Sequence, residues 1–318
     1  MNEHVLVAVD GGASKTDAVA LDLRGRVLAR ARGAASSPQN IGVAAAAAVV
    51  DSLVTEVLAG RRLLQAGIYL SGLDLPAEIA IFREAVAGFG WATAGDREPI
   101  IDNDMFALLR AGTEEPNAIA VVCGTGSNCV GVRADGEQVR FAALGVLSGD
   151  WGGGWQLGEQ ALWYAARAVD GRGEPTEFTT TIPRQLGLPD IASVIEALHF
   201  GRLPTSVLPT LAPLVFEASD RGDAIARGLV ARQAEEIVAI AVAAIRRLDL
   251  QETPLPVVLG GGILAGGNEA LIGDITTLLA QRAPVAHIEL VRSRPILGAA
   301  LLTLEAVGAD PAALTWVE

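Results

Sequence analysis

Asp10-Gly11-Gly12-Ala13-Ser14-Lys15-Thr16-Asp17 joins an apolar run, residues 5–9, to residues 17–23, where apolar and polar side chains alternate. A continuous apolar run fits a buried strand and the alternation fits a half-buried one, so the octet is a strand-to-strand turn. Glycines let backbone approach an anion closely and leave successive N–H groups free to donate. Ser14 and Thr16 add hydroxyls, Lys15 adds a point charge, and Asp10 could hold a divalent cation through water. Lys15 is also the only lysine in the chain, which weakens the plainer reading of a glycine-rich hairpin. The octet is not a Walker loop: Gly-x-x-x-x-Gly-Lys-Ser/Thr is absent, and a strand follows it rather than a helix.

Outward from this turn, residues 27–31 continue a meander and residues 43–58 form an alanine-rich helix. Residues 67–70 are a strand ending in Ser71-Gly72-Leu73-Asp74, residues 78–88 are helical, and residues 99–101 form a strand running into Asp102-Asn103-Asp104. This order predicts a mixed sheet flanked by helices. The opening then recurs: residues 118–123 are apolar, Gly124-Thr125-Gly126-Ser127-Asn128 follows, and residues 129–133 and 139–143 are strands about an Asp-Gly turn. Such a repeat implies an internal duplication, with domains over 1–115 and 116–318. The last helix, about 295–307, is expected to pack back on the first domain. Two glycine turns in equivalent positions suit a cleft that clamps one triphosphate from both sides.

Three further segments carry chemistry. Asp102-Asn103-Asp104 closes a strand and opens a helix, so one member can serve as an N-cap and another as a general base. A carboxylate at a helix N-terminus is expected to keep a low pKa, which phosphoryl transfer tolerates because it relies mainly on positioning and charge stabilisation. Gly149-Asp150-Trp151-Gly152-Gly153-Gly154-Trp155 reads as a sugar grip, carboxylate to hydroxyls and ring to apolar face, or as a loop anchored by two aromatics. Gly260-Gly261-Gly262 after a strand would admit adenine or ribose, or simply make a tight turn.

The bulk numbers narrow the class. The chain has 318 residues, 51% of them hydrophobic and 19% charged, enough for two buried cores. A net charge of −13 argues against a nucleic-acid face. Cys123 and Cys129 imply neither a disulfide framework nor a zinc site, which favours a reducing cytoplasm. No basic leader precedes the first strand, and charges interrupt the most apolar stretches, so no membrane span is expected.

Together these segments resemble the N-acetylglucosamine kinase branch of the BadF/BadG/BcrA/BcrD-type ATPases, within the actin, hexokinase and Hsp70 superfamily. The motifs are residues 10–17, Asn103-Asp104, residues 122–129, residues 149–152 continuing into 168–173, the Ala-x-x-Gly-Asp-like junction at 217–223, and Gly260–Gly262. The resemblance implies two actin-like (ribonuclease H-like) α/β domains closing on ATP, Mg²⁺ and a small sugar, with no nucleic-acid partner and with a homodimer left open. By it, Gly11, Gly12, Ser14, Lys15, Thr16, Gly124, Thr125, Gly126, Gly260, Gly261 and Gly262 serve the nucleotide, and Asp10 the metal. Asn40, Asp74, Asp104, Ser127, Asn128, Gly145 and Asp150 serve the sugar. Asp104 is the implied base that moves the γ-phosphoryl group to the sugar's 6-hydroxyl.

The family's Gly-Asp-Glu-Gly-Ser reads Gly149-Asp150-Trp151-Gly152-Gly153 here, Leu144 stands where an aromatic is usual, and Gln39 or Asn40 replaces the usual asparagine. These departures surround the sugar. Two other readings remain: an ATPase that activates a partner enzyme reductively through a cysteine-bound cluster, and a sugar or nucleotide sensor without catalysis.

Overall fold

Strand β1 (His4–Gly11) is buried on both faces for most of its length, and this central position organises the first sheet. The computed structural model describes residues 4–266 and 268–314. After β1 come β2 (Thr16–Leu21), β3 (Val27–Gly33), α1 (Val43–Leu58), β4 (Arg62–Leu70), α2 (Pro76–Val86), β5 (Ile100–Asn103) and α3 (Asp104–Gly112). The chain continues through β6 (Ala118–Cys123), β7 (Ser127–Val132), β8 (Gln138–Arg140), α4 (Gly153–Val169), α5 (Phe178–Leu186) and α6 (Ile191–His199). It ends with α7 (Ala212–Arg221), α8 (Ala224–Arg247), β9 (Leu255–Gly260), α9 (Glu269–Arg282), β10 (Ala286–Leu290) and α10 (Pro295–Glu305). Single turns of helix lie at Pro38–Ile41, Gly145–Ser148 and Gly262–Ala265.

The chain divides into two units, one of residues 1–120, 140–142 and 291–318, the other of residues 121–139 and 143–290. In unit 1 the strand order is β3-β2-β1-β4-β5, antiparallel from β3 to β1 and parallel from β1 to β5. The other sheet repeats this order as β8-β7-β6-β9-β10, with β9 and β10 parallel.

The helices follow from their apolar spacing. Ala46, Ala47, Val50, Leu53, Val54, Val57 and Leu58 put one buried stripe of α1 on the sheet. Ala59 then turns left-handed at φ 47° and Gly60 follows at 77°, ending the helix. Helix α10 belongs to unit 1, and a Cβ on Gly298 would meet the Ala107 carbonyl of α3 at 1.8 Å, so only glycine permits that approach. Strand β2 departs from expectation: all six of its residues are buried, because α1 and α10 cover its two faces. Edge strand β3 instead exposes Arg30 and Arg32, charged side chains that keep a sheet edge from pairing.

Candidate active site

In unit 1 three neighbouring parallel strands end together. The register pairs Asp10 with Tyr69 and Gly11 with Leu70, then Tyr69 with Asp102 and Leu70 with Asn103. Beyond β1, Gly12 N–H donates to the Lys15 carbonyl at 2.9 Å, closing the hairpin with Ser14 and Lys15 exposed at its tip. Gly11 is forced: a Cβ there would meet Ser36 Oγ at 2.1 Å and Leu70 Cδ2 at 2.4 Å. The expectation that Thr16 offers a hydroxyl to phosphate is corrected. Its side chain is fully buried, with Oγ1 2.6 Å from the Ala34 carbonyl and 2.7 Å from Ser36 Oγ. Lys15 Nζ lies 3.1 Å from Asp17, which Arg32 also holds, and these hydrogen bonds outweigh burial to keep the Asp17 carboxyl below its ordinary range.

The Asp102-Asn103-Asp104 cluster divides its labour. Asp102 is paired with the Arg140 guanidinium through both carboxylate oxygens. Asn103 caps α3, its Oδ1 accepting from Met105 N–H at 2.9 Å. Asp104 is left as the first helical residue. The expectation of a low pKa is overturned: burial, then the charges of Asp10 and Asp74, push its carboxyl up to about 8 despite two backbone N–H donors. Asp10 is likewise pushed up to about 7 by burial and by Asp17, with Lys15 pulling the other way. The helix N-terminus loses because desolvation in a group of like charges costs more than one turn of dipole returns.

Asp74 accepts from Asn103 Nδ2 at 2.9 Å and Gln39 Nε2 at 3.1 Å. Gln39 also donates to Glu78, whereas Asn40 is exposed in the turn Pro38–Ile41. The structure therefore ties Gln39, and not Asn40, to the carboxylate group; the sequence left the two as alternatives.

In unit 2 the glycine turns abut. The Cβ position of Gly124 lies 3.9 Å from Gly262 N, and a Cβ on Gly261 would strike Cys123 backbone at 2.5 Å. A cavity of about 940 Å³ opens beside them. Its lining includes Thr125, Phe216, Glu217, Asp220, Gly262, Ile263 and Asn268, with carboxylates and an amide placed to accept from or donate to a polar ligand. No local pattern in the sequence marks Phe216 or Ile263, since α7 and the turn after β9 meet only in the fold. Gly126 is exposed at the turn's tip, and Gly260 ends β9 fully buried.

The N-terminus of α4 is already satisfied. Gly153 N–H donates to Gln233 Oε1 at 2.9 Å, Gly154 N–H to the Gly124 carbonyl at 2.8 Å, and Trp155 N–H to the Thr125 carbonyl at 2.9 Å. Gly153, at φ 80°, would place a Cβ 2.6 Å from Gly126 Cα. The glycine run 152–154 therefore packs α4 on the 124–127 turn, and the flexible-loop reading is corrected. Arg232 stacks over the Trp151 ring at 4.2 Å and Trp155 lies within α4, so the two rings form no open platform. Gly145 and Asp150 do meet: the Gly145 carbonyl accepts from Asp150 N–H at 2.9 Å, and the Asp150 carboxylate accepts from Ser148. Ser127 and Asn128 follow the turn at the head of β7, both partly exposed. Asp223 caps α8 and also accepts from Thr176 and Glu177, so the 217–223 motif is in part a structural junction.

The family model for the BadF/BadG/BcrA/BcrD ATPase family matches residues 7–303. The chain belongs to that family. This BadF-type chain is 26% identical over 323 residues to the N-acetyl-D-glucosamine kinase of Dictyostelium discoideum, covering 96% of this chain and 99% of that protein. It is 25% identical over 268 residues to the N-acetylmuramic acid/N-acetylglucosamine kinase of Clostridium acetobutylicum, covering 83% and 86%. Among solved structures, a candidate N-acetylglucosamine kinase from Chromobacterium violaceum superposes with a TM-score of 0.71 at 26% identity, covering 95% of this chain and all of that one. A glucokinase of the ROK family from Streptomyces griseus, in complex with glucose and AMPPNP, matches at TM-score 0.54 and 18% identity over 94% and 98%. That match shows the fold alone, the actin-like α/β fold expected from the sequence.

Among the described residues no group of three or more His, Cys, Asp or Glu is placed to hold a metal ion on protein ligands alone. Asp10 raises the proton affinity of the buried Asp104, and Lys15, which partly offsets the rise at Asp10, is itself paired with Asp17. A carboxylate oxygen such as that of Asp10 is the hard donor that Mg²⁺ takes, directly or through water.

Proposed function

We infer that the chain is an ATP-dependent sugar kinase that phosphorylates the 6-hydroxyl of an amino sugar, with N-acetylglucosamine the first acceptor to test. The observation that carries this is Asp104, a desolvated carboxyl whose neighbours Asp102 and Asn103 are both committed elsewhere. A base works best when its pKa lies near the operating pH, and Asp104 sits there.

In this reading unit 2 takes the adenosine end of ATP in the cavity beside Gly124 and Gly262, while Ser14, Lys15 and the glycine turns donate to phosphate. For the sugar, unit 1 offers Asp74, held by Gln39 and Asn103, and unit 2 offers Ser127, Asn128, Gly145 and Asp150, the positions the family resemblance implies. Asp10 would hold Mg²⁺ through water, which supplies positive charge against the phosphates. Asp104 accepts the proton of the attacking hydroxyl as the oxygen–phosphorus bond forms; the bond from the γ-phosphorus to the bridging oxygen breaks, and ADP leaves. The cytoplasm, where ATP is plentiful, is the setting this reading places it in.

The reductive-activator reading lacks chemistry in this chain. Cys123 and Cys129 are both fully buried, and burial pushes the Cys123 thiol up to about 11 and the Cys129 thiol higher still, away from the thiolate that binds metal. ADP release measured over N-acetylglucosamine, N-acetylmuramic acid, glucosamine, N-acetylmannosamine and glucose tests the kinase reading. Acceptor-dependent turnover supports it, and turnover indifferent to every sugar refutes it.

A further inference from the structure

Helix α4 starts without a cap of its own, because Gly152 precedes it and has no side chain to offer the first N–H groups. The oxygen comes from α8 instead, where Gln233 is fully buried and its Oε1 accepts from Gly153 N–H at 2.9 Å. The next two N–H groups of α4 run to the glycine turn, Gly154 to the Gly124 carbonyl at 2.8 Å and Trp155 to the Thr125 carbonyl at 2.9 Å. Gly124 N–H closes that turn on the Gly126 carbonyl at 2.9 Å. A chain of hydrogen bonds thus leads from Gln233, through the first turn of α4, to residues 124–126. Two departures from the family's motif meet the same helix α8: Trp151 stands at the usual glutamate and Gly153 at the usual serine. Arg232 lies over the Trp151 ring at 4.2 Å, and its neighbour Gln233 holds Gly153. No capping side chain fits at position 153, since a Cβ there would come within 2.6 Å of Gly126 Cα. The amide of Gln233 is closely housed as well: a Cβ on Gly152 would lie 2.5 Å from its Nε2 and 2.9 Å from Ser127 Oγ. That Nε2 is buried and has no hydrogen-bond partner among the described residues. An unpaired buried donor opposes folding and offsets what the Oε1 bond contributes, so stability alone does not explain the amide.

We propose that Gln233 is a positioning residue for the nucleotide: it fixes the start of α4, and through it holds the 124–126 turn in the geometry that donates to the phosphates of ATP. The inference rests on the kinase reading above. Gln233 touches no ligand in this role and acts through Gly153, Gly154 and Trp155. A neutral amide suits the place, because it supplies the accepting oxygen without setting a buried charge beside the turn that must receive an anion.

Steady-state kinetics in each substrate, with calorimetric titration of the non-hydrolysable analogue AMPPNP, tests this in wild type, Gln233→Met and Gln233→Asn. The methionine variant keeps length and apolar packing but deletes the oxygen, and the asparagine variant keeps the amide but draws it back by one methylene. Both should raise the KM for ATP and the Kd for AMPPNP several-fold, with the KM for N-acetylglucosamine unchanged. Either variant that folds is enough for the comparison. A purely structural glutamine would instead lower the melting temperature and move both KM values together. An unchanged KM for ATP, or two KM values rising in step, overturns the inference while leaving the kinase reading intact. Failure of the kinase reading shows separately, as wild-type protein without sugar-dependent ADP release; weaker AMPPNP binding by the two variants would then still uphold Gln233.

Discussion

Asn103 Nδ2 lies 2.9 Å from Asp74 Oδ1 while the same amide's oxygen caps α3, so one side chain couples a helix start to a buried carboxylate. Asn103→Ala should cost about 0.5–2 kcal/mol for the cap, and more because Asp74 loses a donor where water cannot replace it. Asn103→Asp keeps the cap but sets a second carboxylate against Asp74. Both variants should raise the KM for sugar with the KM for ATP unchanged, and steady-state kinetics in each substrate separates the two effects.

The raised carboxyls of unit 1 predict a stability trend with a definite sign. Asp104 has a folded-state value of about 8 against 3.8 when unfolded, so its contribution is fully present below the lower value and is lost as pH rises towards the higher one. Without nucleotide or divalent cation, wild type should weaken between pH 4 and 8 relative to Asp104→Asn. The upper limit is about 1.4 kcal/mol per pH unit. Urea unfolding at pH 5 and pH 8.5 reads the difference, which should favour the asparagine variant at the higher pH.

The same groups predict the shape of the rate profile. Asp104 must be ionised to accept a proton, and Asp10 must be ionised to hold a cation. Therefore kcat/KM should rise with pH up to about 7–8 and then level. A profile flat from pH 5 upward would mean that neither carboxyl titrates in the free enzyme where burial and neighbouring charges place it.

Two glycines on unit 2 should respond in opposite directions. Gly153→Ala forces a Cβ to within 2.6 Å of Gly126 backbone at φ 80°, which should cost about 1–3 kcal/mol and raise the KM for ATP by shifting the 124–126 turn. Gly228 sits exposed within α8 with nothing within 4 Å of its Cβ position, so Gly228→Ala should stabilise by about 0.5–1 kcal/mol. Denaturant midpoints and ATP titration check both.

Where local pattern decides structure, the sequence was legible. The two strand–glycine–strand openings, the alanine stripe of α1 and the Asp102-Asn103-Asp104 boundary could all be read from spacing alone. What escaped depends on contacts distant in the chain. Gly153 is bound by Gln233, 80 positions on, which turns an apparent loop into a helix start. Thr16 faces inward because its hydroxyl pairs with the Ala34 carbonyl and the Ser36 hydroxyl. The Asp104 carboxyl is raised by burial and then by the charges of Asp10 and Asp74, both far away in sequence, so a helix-dipole argument pointed the wrong way. Strand β10 carries two polar residues in five and is nowhere fully buried, leaving little periodicity to detect.

Asp104 as base for a sugar hydroxyl is tested most directly by ³¹P NMR of ATP and N-acetylglucosamine incubated with wild type and with Asp104→Asn. The predicted result is a sugar phosphate monoester accumulating with ADP for wild type, and a rate lower by about 10²–10⁴-fold for the variant. Free inorganic phosphate without a sugar ester, or equal ester formation by both proteins, would contradict it.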